Sequence, residues 1–179
     1  MRMSDARIVT ARAYLLTNAR ALDAAGKFSS WVRHAAPDHI PEPALWELCE
    51  GCLDELEAAV QSAVDARAGR DVPPAPSAAL TLASYGLRLL VACGWRLELE
   101  RCVQSGVRCP PGKVAMIDPE RGGLISIAHG GAAFKVDAAT RARLIATQDG
   151  QGDALLEADA ELARELVERC LRAHAGLDA

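Results

Sequence analysis

The sequence predicts an α+β fold, predominantly helical, with about five helices packed on a small three-stranded antiparallel β-meander. Three observations predict it. Several long stretches place apolar side chains at three- and four-residue steps, as amphipathic helices do. Residues 113–137 instead alternate apolar and polar around a Gly-Gly pair. Aromatics make up only 4% of the chain, so Leu, Val, Ile and Ala must build the core, anchored by Trp31, Trp46 and Trp95. At 179 residues the chain fits a single domain, 1–179.

Taken in order, Ser4 is a candidate N-cap for a helix over about 5–25. Ile8, Ala11, Leu15, Ala19 and Leu22 would share its apolar face, and Gly26 would end it. A helical turn over 29–36 carries Trp31 and stops at Pro37. Pro43 opens the next helix, 44–68, whose apolar stripe is Leu45, Leu48, Cys49, Cys52, Leu56, Ala59, Val60 and Val64. A Pro-rich loop follows over 69–77. Ser77 caps a helix expected to cover 78–104. Residues 95–101 alternate like a strand, but Leu90, Cys93, Leu97 and Arg101 keep a helical track, and Gly106 and Pro110-Pro111 supply stop signals.

The meander has a specific expected register. Gly130-Gly131 would turn a hairpin between 124–129 and 132–136, pairing His129 with Ala132, Ile127 with Phe134, and Ile125 with Val136. Ser126 and Lys135 would pair on the opposite face. Val114 and Met116 would join the apolar face across the loop from Asp118 to Gly123. Asp137 or a neighbour then starts a helix over 138–147, and a last helix follows the DGQGD stretch over 153–174.

Charge and composition narrow the function. A net charge of −4 without a Lys or Arg run argues against a nucleic-acid partner. The most membrane-like window, residues 78–95, is short and carries Arg88, which costs roughly 2.5–3.5 kcal/mol at a bilayer centre. No membrane partner is expected. Asp5, Arg7 and Arg12 interrupt any export signal, so the six cysteines read as cytoplasmic thiols in a soluble protein. Basic residues are nearly all Arg and alanine is abundant, the coding bias of a GC-rich bacterial genome.

The motifs that could carry chemistry are incomplete. Cys49-Glu-Gly-Cys52 has the spacing of half a metal site. The other half would have to come from His34 and His39, or from Cys102 and Cys109, and neither set has a finger spacing. On a helix stripe such thiols serve as small apolar residues. His129-Gly-Gly matches a segment that builds oxyanion holes in some serine hydrolases, but the chain has no G-x-S-x-G elbow. Gly112-Lys113 lacks the rest of a P-loop. Glu47, Glu50, Asp54 and Glu57 read as a solvated helix face. Arg141 and Arg143 could face DNA only in a tighter helix-turn-helix than this one. With no nucleophile, base and stabiliser assembled, the expectation is a non-catalytic module that binds another protein and needs no cofactor. Immunity proteins, chaperones and inhibitors are of this type. One alternative is a small-molecule-binding protein or enzyme with a pocket near Ser126 and His129, between meander and helices. Another is a structural zinc protein using Cys49 and Cys52.

Overall fold

A computed structural model describes residues 10–36, 42–151 and 154–177 of the chain. Among the described residues, five α-helices and a four-stranded mixed sheet form an α+β fold. Helix α1 spans Ala19–Ala35. It begins where the Asn18 side chain accepts the N–H groups of Arg20 and Ala21, at 3.1 Å each. The helices expected over 5–25 and 29–36 are therefore redrawn. Residues 10–14 are not helical, Leu15–Thr17 make one 3-10 turn, and α1 runs straight through Gly26. Glycine costs a helix about 1 kcal/mol against alanine. Ala24, Phe28 and Trp31, buried on both sides of Gly26, outweigh that cost. The Ser4 cap and residues 5–9 lie outside the described residues. Leu22, placed on the apolar face, is 46% exposed.

Helix α2, Pro43–Arg67, has the extent the sequence predicts and buries Leu45, Cys52, Leu56 and Val60. Its acidic face is not simply solvated. Glu57 accepts the N–H groups of Tyr14 at 3.0 Å and Leu15 at 2.5 Å, and Asp54 pairs with Arg12 at 2.7 Å, which ties down the segment before α1. Helix α3, Ala78–Ala92, is capped by Ser77 and is the hub of the fold. It touches α1, α2, the later helices α4 (Ala138–Gln148) and α5 (Ala160–Ala175). The approach is close at Gly86, where a Cβ would lie 2.8 Å from Trp31 and 3.1 Å from Val167.

Helix α3 does not reach residue 104. Gly94 takes a left-handed φ of 77°, and the Trp95 N–H bonds back to the Leu90 carbonyl at 2.8 Å, a Schellman closure. The alternation after it is a strand, β1, Glu98–Cys102. The start of α5 is also later than 153. Residues 157–159 form a 3-10 turn, because the Asp159 carboxylate accepts the Leu156 N–H at 2.9 Å and grips Arg143 at 2.6 and 2.8 Å. Helix α4 starts at Asp137 as expected, through bonds to the N–H groups of Ala139 and Thr140.

The remaining strands are β2 (Ala115–Asp118), β3 (Gly123–Leu124) and β4 (Phe134–Val136), in the order β1-β3-β2-β4. The sheet is not a three-stranded antiparallel meander, since β1 pairs in parallel with β3. The Gly130-Gly131 hairpin and its register are also corrected. Strand β4 pairs with β2, matching Ala115 with Val136, Met116 with Lys135 and Ile117 with Phe134. Ile127–His129 is a 3-10 turn, and Gly131 N–H closes the loop on the Ser126 carbonyl at 3.0 Å. Both glycines take positive φ, but they serve this loop, and Ile127 is 80% exposed. The turn from Asp118 to Gly123 does join two antiparallel strands. The facing of β2 is inverted, with Ala115 and Ile117 inward and Val114 61% exposed. Gly123 is dictated by β1, because a Cβ there would lie 2.2 Å from the Glu98 carbonyl oxygen.

Two layers result. The main core holds Phe28, Trp31, Leu87, Leu90, Ile117, Val136, Leu144 and Leu166 between the helices and the inner face of the sheet. Ile125 and Cys102 are equally buried, at 2% and 4% exposure, but are not part of that cluster. Among the described residues, no helix is long and apolar enough to cross a membrane.

Candidate functional site

Ile125 and Cys102 belong to a cavity of about 340 Å³ on the other side of the sheet edge. Its wall is built by three segments. The end of β1 supplies Cys102, and the residues after β3 supply Ile125, Ser126 and Ile127. The returning chain from Val107 to Met116 supplies Cys109, Pro110, Lys113 and Val114. An isolated antiparallel bridge, Arg101 to Arg108, folds that return onto β1, with Cys102 N–H on the Val107 carbonyl and Cys109 N–H on that of Glu100. This pairing sets Val107 opposite Cys102 and Cys109 opposite Glu100, on one face. The volume falls within the usual range for small-molecule sites, and the lining is mostly apolar.

The polar groups in this wall are organised around one sulfur. The Ser126 N–H points at Cys102 Sγ, at 3.3 Å. The Ser126 hydroxyl meets His129 Nδ1 at 2.9 Å. The Ser105 hydroxyl, joined by backbone N–H groups of Ser126, Ser105 and Gln104, lowers the Cys102 thiol from 9.0 to about 6. The Ser126 N–H, in a turn beside the sulfur, is a donor placed where it favours an anion. Arg141 anchors the opposite rim. It is 7% exposed and reaches across from α4 to the Pro110 carbonyl at 3.0 Å.

The residues singled out in the sequence divide between two places. Cys102, Cys109 and Ser126 line the cavity, and His129 reaches it through Ser126. Cys49 and Cys52 stay on α2, where Cys52 is fully enclosed and burial, with Cys49 and Glu55 nearby, pushes its thiol far above the ordinary range. Among the described residues, no three His, Cys, Asp or Glu side chains gather where they could hold a metal ion. Arg141 and Arg143 do not present a paired surface, since one is buried under Pro110 and the other grips Asp159. Sequence reasoning missed Ser105, Val107, Arg108 and Met116. The alternation Val107-Arg108-Cys109 was the available signal for the returning segment.

A second cavity, also about 340 Å³, lies between α2 and the Pro-rich loop, lined by Leu56, Val60, Val72 and Pro73 among others. It contains no thiol and no histidine. No protein-family model, no curated protein and no solved structure matches this chain.

Proposed function

We propose that the chain binds a small, largely apolar molecule in the cavity beside Cys102. One observation carries this reading. Three separate segments converge around an apolar hollow, and a backbone N–H in its wall is turned toward one sulfur.

A solvatochromic naphthylamine dye tests the reading directly. Dye fluorescence should rise and saturate on titration into the chain, and methyl hexyl ketone should displace it. Val114→Trp, at a position 61% exposed on the rim, should fill the space and weaken dye binding by about tenfold or more. Unchanged dye affinity in Val114→Trp sinks the proposal.

A second reading has its own observation. Val107, Val114 and Ile127 are 65%, 61% and 80% exposed, and all three border the same cavity. A partner protein that inserts one apolar side chain there would cover this rim, which is the adaptor role. That reading is favoured if short apolar peptides displace the dye and the ketone does not.

A further inference from the structure

The sulfur at the cavity wall suggests a reaction as well as a ligand. Resting on the small-molecule reading above, we infer that the cavity captures apolar α,β-unsaturated ketones and aldehydes covalently, by conjugate addition of Cys102 Sγ. The geometry selects both the nucleophile and the class of electrophile. Of the cysteines, Cys102 and Cys109 line the cavity, but only Cys102 has its sulfur held by the Ser126 N–H. The Cys109 sulfur instead lies 3.9 Å from the Pro110 carbonyl oxygen, an acceptor that disfavours a thiolate. A soft, donor-stabilised sulfur in an apolar enclosure suits a soft carbon electrophile carrying an alkyl tail. Lys113 stands in the same wall and supplies positive charge for an oxygen that becomes an enolate, whereas Arg108 is paired with Glu100 at 3.3 Å. The lowered thiol of Cys102 keeps the sulfur ionised at neutral pH.

The step balances without any other reagent. Sγ gives its electron pair to the β-carbon and a C–S bond forms. The carbon–carbon π bond opens, and the carbonyl oxygen carries the charge beside Lys113. The α-carbon then takes a proton from water, replacing the one the thiol released. No group leaves and no external oxidant or reductant takes part.

The test is incubation of the full chain with conjugated methyl hexenyl ketone and with methyl vinyl ketone at neutral pH, followed by intact-mass and peptide mapping. The expected result is one adduct equal to the whole ketone, on Cys102, with a rate that saturates as ketone rises. The alkyl tail should favour the hexenyl compound at Cys102 by about tenfold, although the vinyl compound is the more reactive toward a free thiol. Cys102→Ser should abolish the adduct. Lys113→Gln should slow the maximal rate by about tenfold and move the half-saturating ketone concentration far less, a split that a merely structural role would not produce. Adducts spread over several cysteines, or faster reaction of the vinyl ketone at Cys102, would overturn the inference. If methyl hexyl ketone displaces the dye but no adduct forms, covalent capture fails and the binding site stands. If neither occurs, both fail.

Discussion

Two buried thiols in this chain sit in opposite surroundings. Cys52 lies in the helical interior, fully enclosed beside Leu56 and the α3 helix, where burial outweighs the pull of Arg88 on a thiolate. Cys102 is almost as inaccessible, at 4%, but its sulfur accepts the Ser126 N–H at 3.3 Å. The same side chain is thus a core filler in one layer and an anion in the other. Burial alone does not decide what a cysteine does. What decides it is whether the surrounding backbone has already spent its donors on secondary structure, as in α2, or has them free in a turn, as after β1.

The sharpest way to break this contrast is alkylation against pH. With a thiol at about 6, roughly nine-tenths of Cys102 is ionised at pH 7, against a few per cent for an ordinary cysteine. A lowered pKa also weakens each thiolate, so the gain over a free surface thiol is only a few-fold. Against Cys52 the difference should exceed about a hundredfold, because that site reacts only when the chain opens. Iodoacetamide labelling followed by peptide mapping should give a midpoint near pH 6 for Cys102 and no labelling of Cys52 below alkaline pH. Equal labelling of the two ends the contrast.

The same pair makes a stability prediction with opposite signs. Cys102 titrates lower in the folded chain than the roughly 8.5 of an unfolded cysteine, so its contribution is full above that value and is lost as pH falls through about 6. Cys52 titrates higher when folded, so its contribution is full below about 8.5 and declines as pH rises beyond it. Denaturation midpoints measured across this range should flatten on the low side in Cys102→Ser and on the high side in Cys52→Ser. A Cys102→Ser profile parallel to the wild type between pH 6 and 8.5 refutes the first half.

The next largest effects lie in the helical layer. Leu87 is fully buried on α3, and Leu87→Ala should cost about 2–5 kcal/mol in denaturant unfolding. Gly86→Ala inserts a methyl group against Trp31 and Val167, and should cost about 1–3 kcal/mol through overpacking. Asp159→Asn removes a charge that two guanidinium bonds and the Leu156 N–H all address. Arg143 remains 26% exposed, so about 3 kcal/mol, the low end for a broken buried pair, is expected. Because Arg143 holds the Asp159 carboxyl below its ordinary range, that contribution should vanish in acid, as pH falls through and below about 3.9.

The helices were more legible than the sheet for a physical reason. The starts of α2, α3 and α4 follow from Pro43, Ser77 and Asp137, and their bonds are local, so the residues that decide them are neighbours in sequence. Glycine was misread in both directions. Gly26 looked like a stop and is helical, whereas Gly94 is the stop and was passed over, since only its left-handed φ distinguishes it. The hairpin failed because alternation in 124–129 fits a strand equally well on paper. What overrules it is that β2 takes the place beside β4, a choice made by non-local pairing. The site suffered likewise. Cys102, Cys109, Ser126 and His129 were all visible as candidates, but their meeting depends on the parallel β1–β3 pair, which local patterning does not encode.

The smallest expected effect on stability is the most informative about the outer layer. Among the described residues, Ile127 is the most exposed of the large apolar side chains, and it stands at the cavity mouth. In a chain without a ligand it contributes almost no buried area, so Ile127→Ser should change unfolding by no more than about 0.5 kcal/mol. Dye binding should weaken several-fold all the same, because the bound molecule is what would bury this side chain. The corresponding change in the inner layer, Leu87→Ala, should do the reverse, lowering stability while leaving dye affinity in the folded chain nearly unchanged. If Ile127→Ser destabilises the free chain as a core substitution does, the loop from Ser126 to Gly131 is held by packing, and the outer face loses its claim to be a surface kept open for a ligand.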